Sequence, residues 1–322
     1  DRSFDTMAEE ILPSLYRIVV PLPGSPLKEI NSYVLTARDR CLIVDTGMNR
    51  PACREALEAG LDEIGVDLEK TDFIATHLHA DHHDEPWLRA HLRRDIPILL
   101  PGYPTREQQR TLADLGFTEF IRTVDGEELE IAPGLTIAIH TEVSITDGPG
   151  GDSAMMVTDG TSRVVNQNDC RTTDLDALRS HGPVDLHWLQ YSGAIWYPMV
   201  YDLPDDEKRR LCDAKVDSQF TRAMKYVEAI DSRAVVPTAG PPAFLDDDLW
   251  HLNVIRGDER SIFPDQRSFM ARLARAGRHG VLAIPGTEIE ITPESIEARH
   301  PIPDDEVAAI FEDKEQYLRG YQ

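Results

Sequence analysis

Nine consecutive residues, Thr76-His77-Leu78-His79-Ala80-Asp81-His82-His83-Asp84, carry four histidines and two carboxylates. Imidazole nitrogen and carboxylate oxygen are the donors that proteins offer to zinc, iron and manganese. In an extended segment, residues two apart project to one side, so His77 and His79 can reach one ion. Where the chain then turns, Asp81 and His82 are re-aimed and can hold a second ion beside the first. That spacing suits a two-metal centre, with ions about 3.5–4 Å apart. The plain alternative is a histidine-rich loop that holds nothing. An isolated pair of histidines would favour it; His-x-His-x-Asp-His directly after an apolar strand favours the metal. His83 and His91 fall outside the spacing and are expected to be structural or to support the ligands.

The motif needs a strand before it and a helix after it. Thr71-Asp-Phe-Ile-Ala-Thr76 has the character of a short buried strand, and Pro86 with Trp87-Leu-Arg-Ala-His-Leu92 opens a helix. Upstream, Ile11 to Tyr33 alternates strand-like runs around the rigid insert Pro21-Leu-Pro-Gly-Ser-Pro26. Asn31–Thr36 and Cys41–Gly47 follow as strands, which together predict an antiparallel start to a sheet. Leu57, Leu61 and Ile64 line one face of a helix from Ala52 to Gly65. Beyond the motif come a strand at Ile96–Leu100, a helix at Thr105–Gly116, a strand at Leu135–His140 and another from Arg163 that ends at Asn168-Asp169. A long helix spans Asp205 to about Ile230, and amphipathic helices at Pro264–Gly277 and Asp304–Tyr321 cover a sheet. This alternation gives an α/β class.

The 322 residues are 41% apolar, enough for a substantial core, and are expected to form a single domain, 1–322, with a C-terminal helical cover. Acidic residues outnumber basic ones 57 to 33, a formal charge of −24. A field of that sign repels phosphate backbones and anionic lipid, so neither nucleic acid nor a membrane is an expected partner. Cys41, Cys53, Cys170 and Cys212 are scattered, which speaks against disulfides and zinc knuckles and for a reducing compartment. No signal-peptide pattern opens the chain and no apolar run approaches the ~20 residues that span a bilayer. A cytoplasmic protein is expected.

The motif resembles the signature of the metallo-β-lactamase superfamily. Pro-Leu-Pro-Gly-Ser-Pro-Leu, then Asn-Ser-Tyr-Val-Leu, then Ile-Val-Asp-Thr-Gly is similar to that superfamily's opening strands, and there the aspartate matching Asp45 supports the metal loop. An αβ/βα sandwich of two mixed β-sheets flanked by helices is the fold this implies. The resemblance assigns His77, His79, Asp81 and His82 as ligands, and Asp169, at the expected strand end, as the carboxylate bridging two metals. It departs at two places. Where family hydrolases have the last histidine of His-Thr-Pro-Gly-His, this chain has Ser144, and Glu142 is the nearest strong replacement, with His140, Asp147 and Asp152 as rivals. Where they carry a final histidine after a strand, this chain has Ala239-Gly240; His251 is the closest substitute, and His187, mid-strand by its flanks, is a weaker one.

From Val184 the layout resembles the non-Rieske part of the CMP-N-acetylneuraminate hydroxylase family, in which a Ser-Gly-Ala…Tyr-Pro loop, a helix and a Pro-x-Ala-Gly segment recur. The Rieske centre of that family needs paired Cys and His ligands, and these residues contain no such pairs, so an external electron donor is implied. Tyr191, Trp196 and Tyr197 are candidates for an aromatic wall against a small-molecule substrate, and core packing explains them equally.

Replacing a histidine by a carboxylate makes the ligand set richer in oxygen, which favours iron or manganese over zinc. The same scaffold hosts di-iron hydroxylases, some with glutamate at this place. The leading expectation is therefore a non-heme di-iron monooxygenase holding two iron ions and using dioxygen to hydroxylate a C–H bond of a natural-product-like substrate. A dinuclear metallohydrolase of thioesters, lactones or phosphoesters, with two zinc ions, is the second reading. A non-catalytic binding protein is the third.

Overall fold

The structure, a computed structural model, describes residues 8–12, 15–21, 29–36, 41–44, 51–68, 71–74, 85–142, 151–168, 170–193, 195–255 and 261–321. The chain divides into two compact units. One comprises Asp1–Ile131, Ile137–Ala154 and Cys170–Thr173; the other comprises Ala132–Thr136, Met155–Asp169 and Asp174–Gln322.

The first unit holds a seven-stranded sheet whose spatial order follows the chain: β1 (Ala8–Leu12), β2 (Leu15–Pro21), β3 (Glu29–Thr36), β4 (Cys41–Val44), β5 (Thr71–Ile74), β6 (Ile98–Leu100) and β7 (Phe120–Arg122). β1 to β4 pair antiparallel. β4 to β7 pair parallel, and parallel neighbours cannot be joined by a tight turn. Each return is accordingly a helix: α1 (Pro51–Ile64), α2 (Glu85–His91) and α3 (Glu107–Asp114). One core joins them, with Ile18, Val20, Val34 and Ile43 of the strands packed with Leu57 and Leu61 of α1, Trp87 and Leu88 of α2 and Leu112 of α3. β8 (Leu129–Ala132) and β9 (Leu135–Glu142) are hydrogen-bonded neighbours.

In the second unit β10 (Asp152–Thr158), from Met155 on, pairs antiparallel with β11 (Arg163–Asn168). β12 (Leu186–Gln190) and β13 (Ala234–Thr238) extend that sheet in parallel. Between β11 and β12 lies α4 (Leu175–Arg179), whose first turn is capped by the Asp174 carboxylate accepting from the Ala177 N–H. Between β12 and β13 runs α5 (Asp205–Ile230), 26 residues long. Strand parity then sorts the side chains. Leu189, Tyr191 and Val235 pack under Phe220, Met224 and Val227 of α5 and Phe269 and Leu273 of α6 (Gln266–Arg275). Leu186, Ala234 and Val236 pack the other way, with Val281 and the hairpin of β14 (Glu288–Ile291) and β15 (Ile296–Arg299). Burial on both faces is the normal state of parallel strands. α7 (Asp304–Glu312) and α8 (Lys314–Arg319) end the chain. Among the described residues no helix is long and apolar enough to cross a membrane.

The α/β class with mixed sheets is the one the sequence predicts. The β14–β15 hairpin is not anticipated, although Glu288-Ile-Glu-Ile291 carries the period-two alternation of a half-buried strand.

Gly60 sits inside α1, where glycine costs about 1 kcal/mol relative to alanine. Its place is explained by contact: a Cβ there would lie 2.6 Å from Ile18 Cγ2. Glycine lets α1 approach β2 that closely. A Gly60→Ala variant gains helix propensity but overpacks this contact, at a cost of about 1–3 kcal/mol. Urea unfolding is expected to show a lowered midpoint with an unchanged slope; a raised midpoint would mean that Ile18 has room to move away.

Candidate metal centre

The histidine motif falls between β5 and α2, the strand-to-helix return its spacing calls for. Its ligand candidates His77, His79, Asp81 and His82 lie outside the described residues, as do Asp169, Asp45, Ser144 and Asp147. The flanks are described. Glu85 opens α2 with an acidic side chain in the first turn, and Trp87 and Leu88 anchor that turn in the core. On the other side Asn168 closes β11 immediately before Asp169. Among the described residues no three potential metal-ligating side chains converge.

Glu142 is the last residue of β9. Its strand end is clamped, because Asp125 Oδ1 accepts from both the Thr141 N–H, at 2.6 Å, and the Thr141 hydroxyl, at 2.9 Å. The Gly126 N–H donates to the Ile139 carbonyl at 2.9 Å. The Thr173 N–H in turn donates to Glu142 Oε2 at 3.2 Å. A main-chain donor thus orients the carboxylate and leaves Oε1 without a partner among the described residues. The rivals of Glu142 are placed otherwise. His140 is buried, with its ring against Gly126, where a Cβ would come within 2.8 Å of Cε1. Asp152 is buried at the start of β10.

His187 is fully buried in the middle of β12, as its flanks predict. Its Nε2 lies 2.9 Å from Gln167 Oε1. With that carbonyl oxygen accepting, the proton sits on Nε2, and Nδ1 has no hydrogen-bond partner among the described residues. Burial alone pushes its pKa down to about 3. This is a neutral core histidine. His251 is exposed on a one-turn 3-10 helix, Trp250–Leu252, and lines a cleft with Lys208.

The three aromatic candidates part company. Tyr191 has no exposed surface; it stacks on Phe269 at 5.7 Å and its hydroxyl donates to the Pro264 carbonyl at 2.8 Å. Its role is core packing, the alternative the sequence leaves open, because strand parity turns it under α5 and α6. Burial, with Asp265 adding to it, holds its hydroxyl well above the usual phenol range. Trp196 is half-buried, edge-on to Phe244 at 5.4 Å. Tyr197 is exposed and meets Tyr201 edge-to-face at 5.0 Å. The neighbours that make this region chemical, Tyr201 and Lys208, are missed by motif reading, since neither belongs to a patterned word.

The folded units define an α/β protein built on mixed sheets. Residues 26–82 match the Metallo-beta-lactamase superfamily model. A Mycobacterium tuberculosis protein named as a Rieske 2Fe-2S iron–sulfur protein is 41% identical over 271 residues, 81% of this chain and 52% of its own length. One of the same name from Mycolicibacterium smegmatis is 40% identical over 261 residues, 79% of this chain and 50% of its own. The chain therefore spans about half the length of the curated relatives it matches. Among solved structures, the Bacillus subtilis metallo-beta-lactamase fold protein YhfI aligns with 84% of this chain and 96% of its own, at 17% identity and a TM-score of 0.48. A variant of the CmlA beta-hydroxylase aligns with 83% of this chain and 52% of its own, at 15% identity and 0.47. The metallo hydrolase Igni18 of Ignicoccus hospitalis aligns with 88% and 99%, at 16% identity and 0.47.

The His187 site sets an acid limit on stability. Its ring binds a proton below about 3 in the folded chain, against an ordinary 6.5. Between those values the unfolded chain takes up the proton and the folded chain does not. Stability present above pH 6.5 is therefore lost as pH falls towards 3, by up to about 1.4 kcal/mol per unit from this one group. Proton NMR is expected to show no titration of the His187 ring down to pH 5, with a urea midpoint that falls over the same range; a ring titrating near its ordinary value would contradict the burial.

Proposed function

We propose that this chain is the catalytic part of a non-heme di-iron monooxygenase that hydroxylates a C–H bond of a small, natural-product-like molecule. The observation that carries the reading is Glu142, a carboxylate held at the end of β9 by the Thr173 N–H, two residues before the serine that stands where superfamily hydrolases have histidine. His77, His79 and Glu142 would hold one metal, Asp81 and His82 the other, with Asp169 bridging. Three carboxylates against three histidines make an oxygen-rich set, which suits iron better than zinc. His251 is left out of this set, because it lines a cleft with Lys208 and Asp202 in which no metal-ligating cluster is found among the described residues.

Two bound irons would supply the redox chemistry that splits dioxygen. The balance is a C–H bond and dioxygen with two electrons and two protons giving C–OH and water. These 322 residues contain no paired Cys and His ligands for a Rieske cluster, so the electrons come from an iron–sulfur carrier outside them. The names of the 40–41% identical relatives support that partner. The chain's own residues orient the ligands: Thr173 fixes one oxygen of Glu142, and Asp125 fixes the strand end that presents it.

Elemental analysis of protein made without added metal, with an optical spectrum after reduction and exposure to air, tests this. About two irons per chain, with an oxygen-dependent absorption change, are expected. Glu142→Ala is expected to lower iron to about one per chain with the secondary structure unchanged by circular dichroism. Two zincs per chain, with no response to oxygen, would overturn the reading in favour of hydrolysis of thioesters, lactones or phosphoesters.

A further inference from the structure

The segment after β12 buries some side chains and leaves others in water. Met199 is buried, its sulfur accepting from Ser261 Oγ at 3.4 Å and from the Ile262 N–H at 3.3 Å. Trp196 is held on Phe244. Around these anchors Ile195, Tyr197, Val200 and Tyr201 are 61, 42, 54 and 54% exposed. Single exposed apolar residues are ordinary. Four of them within seven positions, fixed from beneath, make a patch of the kind that marks binding.

Val200 and Tyr201 continue from this patch into an open cleft of about 330 Å³, within the range of small-molecule sites. Met199, Leu249 and Leu252 give the cleft its apolar walls, and its polar lining is Asp202, Lys208 and His251. Among the described residues neither Lys208 nor His251 has an ion-pair partner, although Asp202 lines the same cleft. Carboxylates outnumber cations 57 to 33 in this chain, so an ammonium left without one is not explained by shortage. Lys208 brings one positive charge and the His251 ring an N–H donor, with the Asp202 carboxylate on the same lining, so nothing there would offset the second charge of a dianion.

We propose that this cleft binds an amphipathic monocarboxylate, its aryl or acyl body on Tyr201, Val200 and Tyr197 and its carboxylate on Lys208, with His251 as a second hydrogen-bond donor. None of these residues belongs to the proposed metal centre, so the site stands or falls apart from it.

Titration of the isolated protein with 4-phenylbutyrate, 4-phenylbutanol and inorganic phosphate, followed by amide NMR, tests the proposal. The carboxylate is expected to shift the amides of Met199–Asp202 and Leu249–Leu252 and to bind about 5-fold more tightly than the alcohol. Lys208→Gln is expected to remove that advantage and to leave alcohol binding and iron content unchanged. Tyr201→Ala is expected to weaken acid and alcohol alike by about 5-fold or more. Raising the salt concentration on the unmodified protein should weaken the acid and spare the alcohol. Equal affinity for acid and alcohol, indifference to Lys208→Gln, phosphate binding as tightly as the carboxylate, or shifts confined to other residues would each overturn it.

Discussion

Parallel pairing is the constraint on which the first unit depends. β4 to β7 run in one direction, so a helix must return the chain between each pair, and every return gathers a strand end, a turn and a helix start at the same edge. A two-metal motif needs that sequence of conformations. Ligands two residues apart need extended backbone to share an ion, and the next two need a turn to reach a second. In this chain the motif lies in sequence between β5 and α2, and Trp87 and Leu88, three and four residues after it, bury the first turn of α2.

A metal ligand is only as well placed as the backbone that presents it. Glu142 illustrates how a strand end is made firm: a single carboxylate oxygen, Asp125 Oδ1, takes two donors from Thr141, and the next residue's carboxylate is then met by a main-chain N–H from Thr173. A single backbone donor to Oε2 leaves the other carboxylate oxygen without a partner among the described residues. An imidazole in the same place would have needed an acceptor instead. The local hydrogen-bond polarity therefore agrees with glutamate here.

The fold was legible where periodicity and punctuation agree. Leu57, Leu61 and Ile64 announce α1, and α5 spans Asp205 to Ile230, the boundaries its polar and apolar spacing predicts. β14 and β15 escaped because Glu288-Ile-Glu-Ile291 is a four-residue signal between two helices, too short to stand out although its period is correct. The site was legible in residue type and not in surroundings. Tyr191 and Tyr197 are the same residue six positions apart, yet one is buried under Phe269 and the other is exposed beside Tyr201. Which of the two fates a tyrosine meets depends on helices folded over it from residues 205 and 266 onward, and no local pattern carries that information.

Histidine makes the same point through charge. The His187 ring is fully buried beside the Gln167 amide, and the cost of desolvating a cation keeps it neutral far below its ordinary range. His140 is closed off against Gly126. His251 keeps contact with water, but its cleft already contains an ammonium. A divalent ion beside Lys208 would meet repulsion that scales with both charges, whereas a single negative charge would be drawn to the ammonium, with the His251 ring as a donor. The ligand a histidine can serve is thus decided by the sign of what stands next to it. On that ground the motif residues at 77, 79 and 82, accompanied in sequence by Asp81 and Asp84, suit a cation, and the lone histidine at 251 suits an anion.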